Sequence, residues 1–148
     1  MRIVPDTNLI ISGLLWRGNP RRIINLAQAK EIELYGSGET YAEFCRVAGY
    51  GRFQKYLERE IFSSPKLILD YRAFIKPVSV KDILPGISIV SKDPDDDAFF
   101  RVAKACGAKL IISGDPHLLE IKKYDDIMVV EPTIFLEIYP HLRGNRIS

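Results

Sequence analysis

Asp97-Ala-Phe-Phe-Arg-Val-Ala-Lys-Ala-Cys-Gly-Ala-Lys-Leu-Ile-Ile-Ser-Gly-Asp115 reads as a helix, a stop and a strand with an acid at each end. Phe99, Phe100, Val102, Ala103 and Cys106 recur at helical spacing, and Gly107 supplies the residue that ends a helix most easily. Lys109 to Ser113 is then a short apolar run of the kind a strand buried on both faces requires. The two terminal acids lie eighteen positions apart. That is room for one helix, a turn and one strand, so the second acid comes back to the edge from which the first set out.

The same alternation extends outward. Arg2 to Pro5 reads as a strand ending at Asp6, with Thr7-Asn8 opening an apolar helix from Leu9 to Trp16. Gly18-Asn-Pro20 makes a turn whose proline suits a first helical position, and Ile23, Ile24, Leu26 and Ala27 give the next helix, through Ala29, its apolar face. Ile32 to Tyr35 alternates as a strand, Gly36-Ser-Gly38 breaks it, and Tyr41, Phe44, Cys45 and Ala48 return to helical spacing. Phe53 to Ile75 reads as two helices divided at Ser63-Ser64-Pro65. Val78 to Val90 carries no readable period. Beyond Asp115 come a short helix from Pro116 to Ile121, a strand from Ile127 to Val130 and a last helix from Pro132 to Tyr139, with a frayed tail over 143–148.

Strands alternating with helices imply parallel pairing through right-handed crossovers, hence a three-layer α/β/α sandwich around a mostly parallel sheet. At 148 residues the chain fits one domain, placed at 1–142. Its 47% hydrophobic and 27% charged residues match an ordinary globular protein. No apolar run is long enough to span a bilayer and no secretory signal opens the chain, so a cytoplasmic location without membrane contact is expected. Cys45 and Cys106 lack metal or redox spacing and read as buried packing residues. The net charge of +2 is too small to identify a nucleic-acid binder. Bases gather at Arg17, Arg21 and Arg22, and again at Arg46, Arg52, Lys55 and Arg59, either as solvated helix faces or as a phosphate-gripping rim.

In doubly wound sheets ligands bind beyond the carboxyl ends of the strands, which selects Asp6 and Asp115. Glu43, on a helix, and Asp97, opening another, can join them. Gathered carboxylates repel unless a cation neutralises them, and a histidine-free oxygen set suits magnesium or manganese better than zinc. Such an ion serves phosphodiester hydrolysis by polarising the phosphoryl oxygen and supplying hydroxide.

Four segments in this order carry a resemblance to the PIN-domain endoribonucleases, which include the VapC-like toxins of toxin-antitoxin pairs. They are Val4-Pro-Asp6-Thr-Asn8, Thr40-Tyr-Ala-Glu43-Phe, Asp93-Pro-Asp-Asp-Asp97-Ala and Ile112-Ser-Gly-Asp115-Pro-His-Leu-Leu119. The resemblance implies a PIN-like fold, metal-dependent RNA cleavage and a magnesium- or manganese-binding quartet of Asp6, Glu43, Asp97 and Asp115. Asn8 and Ser113 would support the ligands. It also implies a homodimer and an antitoxin partner that covers the cleft. Pro5 departs from the apolar residue usual before the first aspartate, and Ser113 stands where threonine is common. Asp96 replaces Asp97 as third acid if the helix starts one residue earlier; Asp93, before Pro94, is the weakest candidate.

Each acid has a plainer explanation. Asp6, Asp115 and Asp95 to Asp97 are all placed to cap helices or complement their dipoles, and Glu43 alone would be a solvated helix acid. His117 and His141 read as surface residues, and Trp16 and Tyr41 as core or interface. An aspartyl-phosphate mechanism is disfavoured, since no aspartate follows Asp6 by two positions and no lysine ends the final strand. A catalytically silent PIN-like module that binds RNA or protein is the alternative to a ribonuclease.

Overall fold

The computed structural model describes residues 1–49, 64–85, 88–90 and 94–147. Their elements follow the predicted alternation: β1 (Arg2–Pro5), α1 (Thr7–Leu15), α2 (Asn19–Gln28), β2 (Glu33–Gly36), α3 (Gly38–Ala48), α4 (Ser64–Phe74) and β3 (Ile75–Pro77). After a 3-10 turn at Pro94–Asp96 come α5 (Asp97–Cys106), β4 (Leu110–Ile112), α6 (Pro116–Leu119), β5 (Lys123–Tyr124), β6 (Ile127–Val130) and α7 (Pro132–Ile147). The strands form one sheet in the order β3-β2-β1-β4-β6-β5, parallel throughout except where β5 meets β6. This is the α/β sandwich with a mostly parallel sheet that the sequence predicts.

Strand side chains alternate between faces, and the core divides accordingly. Ile3, Leu34, Ile112 and Val130 face Leu9, Ile11, Phe44, Leu67 and Phe135 from the helices on one side. Val4, Ile111 and Val129 face Phe99, Phe100, Val102 and Leu118 on the other. Because adjacent residues of β1 and β4 are buried on opposite faces, both strands must be central, which sets their ends side by side. The register pairs Pro5 with Ile112, and the Asp6 amide donates to the Ile112 carbonyl at 3.0 Å.

Several boundaries differ from expectation. Trp16 is not helical: it leaves α1 in an extended conformation and is 38% exposed. The edge strand β3 and the two-residue β5 lack the length that makes a period visible. The expected helix break at Tyr139 does not occur; α7 continues through Pro140 to Ile147, with Phe135 and Tyr139 buried against the core. Proline removes a single backbone donor, a loss that packing can offset. Cys106 is buried, but Cys45 is only partly so. The first of the two helices expected over 53–75 lies outside the described residues.

Gly13 shows how closely α1 and α2 approach. A Cβ there would stand 2.6 Å from Ile24 Cγ1 and 2.9 Å from the Pro20 carbonyl oxygen. Gly13→Ala is therefore expected to destabilise by about 1–3 kcal/mol through overpacking, despite alanine's better helix propensity. Thermal melts should show a fall of several degrees; an unchanged or raised melting temperature would contradict this packing.

Candidate active site

Asp6 begins where β1 ends. It is 3% exposed and caps α1, with Oδ1 accepting from the Leu9 amide at 2.8 Å. Its second oxygen, Oδ2, accepts from the Ser113 hydroxyl at 2.5 Å. Ser113 is fully buried just after β4, and its Oγ in turn accepts from the Asp115 amide at 2.9 Å. One hydroxyl thus ties the ends of two adjacent parallel strands. Asp115 caps α6 through the His117 amide at 2.9 Å. The capping roles weighed for both acids are real, yet each cap uses one carboxylate oxygen and leaves the other for a different task.

Glu43 reaches the same edge from α3, where Oε2 accepts from the Thr7 hydroxyl at 2.6 Å. Thr7 follows Asp6 directly, so this bond draws Glu43 beside the first aspartate. Nothing in the sequence marks that threonine except its position. α3 itself starts at this edge because Ser37 and Thr40 form a reciprocal cap immediately after β2.

The start of α5 contributes two buried acids, Asp96 and Asp97, each 4% exposed. Asp97 Oδ1 accepts from the Val90 amide at 2.7 Å, and both its oxygens accept from the Ile89 amide at 3.2 Å. Asp97 therefore binds the preceding segment to α5. Asp96, in the 3-10 turn, and not only Asp97, is carried into the interior, while Asp95 is exposed.

Electrostatics separates Asp6 from an ordinary cap. Burial foremost, and then the charges of Asp115 and Glu43, raise its pKa from 3.8 to about 6 against the lowering effects of the Ser113 and Leu9 hydrogen bonds. A simple capping carboxylate, stabilised by amides, would shift downward. Among the described residues, no three Asp, Glu, His or Cys side chains close into a ready-made metal cage. Magnesium and manganese require less than a cage: one or two carboxylates, several waters and substrate phosphate. The donor set fits, because a cation beside Asp6 relieves both its desolvation and the repulsion of its neighbours.

The supporting candidates divide. Ser113 holds Asp6, whereas Asn8 is exposed in the first turn of α1. His117 and His141 are exposed, as expected. Of the amino-terminal bases, Arg21 donates to the Gly13 and Leu14 carbonyls, closing the far end of α1 about 14 Å along the helix from Asp6. Arg52, Lys55 and Arg59 lie outside the described residues. A cavity of about 610 Å³ around Met1, Ile32, Leu34 and Phe74 opens at the opposite, amino-terminal edge of the sheet. What sequence reasoning overlooked at the acidic edge is an ion pair between Glu39 and Arg101, each one helical turn from a candidate acid on its own helix.

Ser113→Ala removes the donor to Asp6 and the acceptor of the Asp115 amide. It is expected to weaken manganese affinity by about 10–100-fold, as losses of ligand-orienting partners do, with Ser113→Thr retaining near-parental affinity. Manganese titration of the three proteins checks this, and an unaffected alanine variant would assign Ser113 to folding alone.

A family model described as PIN domain matches residues 2–117. None of the curated proteins compared with the chain matches it. Among solved structures, FitAcB from Neisseria gonorrhoeae superposes with a TM-score of 0.51 at 19% identity, covering 88% of this chain and 98% of that one. FitAB bound to an IR36 DNA fragment gives 0.49 at 21% identity, covering 88% and 94%. The FitAcB likeness supports the fold, and the family match extends from β1 into α6, through the segments that carry Asp6, Glu43, Asp96, Asp97 and Asp115. The chain belongs to the PIN domain family.

Proposed function

We propose that this protein is a divalent-metal-dependent endoribonuclease that hydrolyses phosphodiester bonds of RNA, and that it is the toxin of a toxin-antitoxin pair. One observation carries the reading: a buried aspartate, Asp6, held by Ser113 and facing the charges of Asp115 and Glu43, at the carboxyl edge of a parallel sheet. PIN domains are generally nucleases, and this arrangement supplies the oxygen donors that such chemistry uses.

Asp6, Asp115 and Glu43 would hold the ion, magnesium or manganese, with Asp97 or Asp96 as the fourth acid. When bound, the ion polarises the phosphoryl oxygen and makes hydroxide available near neutral pH. The chain's own contribution is orientation. Ser113 fixes the Asp6 carboxylate, Thr7 fixes Glu43, and the cap to His117 N fixes Asp115. Asp97, with both oxygens on backbone amides, favours the second reading, a silent PIN-like binding module, to the extent that it stays so engaged. Comparing Asp96→Asn with Asp97→Asn separates ligand from structural acid.

The antitoxin, as a protein partner covering the acidic edge, and a homodimer belong to the same proposal. No helix among the described residues is long and apolar enough to cross a membrane. The test is incubation of a labelled single-stranded RNA with magnesium, manganese or chelator, alongside Asp6→Asn and Asp115→Asn. Metal-requiring cleavage lost in both variants is expected. A folded parent that binds manganese but leaves RNA intact would transfer the assignment to the silent module.

A further inference from the structure

The acidic edge has an electrostatic difficulty: RNA brings negative phosphates to a place already crowded with carboxylates. Two helices from opposite faces of the sheet meet there, and each presents two charged residues one turn apart. On α3 these are Glu39 and Glu43; on α5 they are Asp97 and Arg101. Arg101 Nη2 donates to Glu39 Oε2 at 2.7 Å and Nε donates to Oε1 at 3.1 Å. The guanidinium therefore makes a two-pronged bond across the layers, one helical turn from Asp97 on its own helix and, through Glu39, one turn from Glu43 on the other.

We propose, on the ribonuclease reading above, that Arg101 is a phosphate-binding residue of this cleft, and that Glu39 occupies its fork until an RNA phosphate replaces it. A carboxylate and a phosphate offer a guanidinium the same spacing of two oxygens, so Glu39 is a stand-in for the substrate group. The two partners are unequally anchored. The Arg101 side chain is 22% exposed and Glu39 is 47% exposed, so the acid can swing into solvent while the base stays. Exposed ion pairs contribute little stability, which makes the exchange inexpensive for the fold. The hydrogen bonds that Arg101 donates to Glu39, and then the fields of Glu39 and Asp97, outweigh desolvation, raise the Arg101 pKa and keep its charge fixed.

The plainer role is a strap between α3 and α5. A strap and a phosphate fork respond differently to the loss of either partner. Breaking a strap from either end has one consequence, whereas removing Glu39 should free the fork and removing Arg101 should abolish it. Binding of a fluorescein-labelled single-stranded RNA, followed by anisotropy in calcium over a salt series, reads this for the parent, Arg101→Gln, Arg101→Lys and Glu39→Gln. Thermal melts accompany each variant. Arg101→Gln is expected to weaken binding about tenfold and to flatten the log–log salt slope by about 0.7, the value for one phosphate contact on a single strand. Arg101→Lys should keep the slope with only part of the affinity, and Glu39→Gln should tighten binding severalfold. Parallel losses in Arg101→Gln and Glu39→Gln, unchanged slopes, or a parent that does not bind RNA would each overturn the proposal. Arg101-dependent binding by a parent that does not cleave would instead overturn the ribonuclease reading and leave Arg101 in place.

Discussion

Asp6→Asn is expected to lower metal-dependent RNA cleavage by several orders of magnitude while the folded structure persists. The substitution removes one negative charge from the most deeply buried of the candidate ligands and keeps its shape. Asparagine caps helices as well as aspartate does, so its amide oxygen can still accept from Leu9 N. The bond with Ser113 can reverse, the side-chain amide donating to Oγ, which has two acceptor positions. Far-ultraviolet circular dichroism and a melting temperature at or above that of the parent would show that folding survives. Cleavage at parental rates by such a folded variant would remove Asp6 from the mechanism, and with it the site as drawn. An equal loss of activity and stability would instead identify Asp6 as a structural cap.

The sequence made the edge legible because strand length, turn residues and acids coincide there. Asp6 and Asp115 each end a readable apolar strand, and both stand at the carboxyl edge because β1 and β4 are neighbours in the sheet. Asp97 was harder. Three consecutive aspartates hide where the helix begins, and the 3-10 turn at Pro94–Asp96 buries both Asp96 and Asp97. No periodicity argument could show that the Asp97 carboxylate takes the Ile89 and Val90 amides, because residues 78–90 follow no period. The place of Arg21 was hidden for a related reason. Arg21 lies close to Asp6 in sequence, yet α1 carries it to the other end of the sheet, where the carbonyls closing that helix need a donor. Arg101, by contrast, is far from Asp6 in sequence but one turn from Asp97. Its signal in the sequence is the four-residue spacing from Asp97 along one helix face.

The second large expectation concerns pH and metal together. A carboxyl group with a pKa near 3.8 when unfolded and about 6 when folded binds more protons in the native state across that interval. Stability contributed by Asp6 is thus fully present below about pH 4 and is lost as the pH rises through about 6. The difference of roughly two units corresponds to about 3 kcal/mol at pH 7, with the folded protein penalised for keeping that carboxylate charged and dry. Other carboxyls contribute with the opposite sign at lower pH, the lowered Glu33 and Asp126 among them, so the raw stability curve mixes several effects. Subtracting the curve of Asp6→Asn from that of the parent, both in chelator, isolates the contribution of Asp6. The difference should favour the parent at pH 4 and the variant at pH 7. Manganese should then raise the parental melting temperature more at pH 7 than at pH 5, since a cation competes with the proton for the same carboxylate. The variant should respond weakly at both. A metal-induced rise of equal size at the two pH values would mean that the ion binds away from Asp6, because binding at this carboxylate must displace its proton.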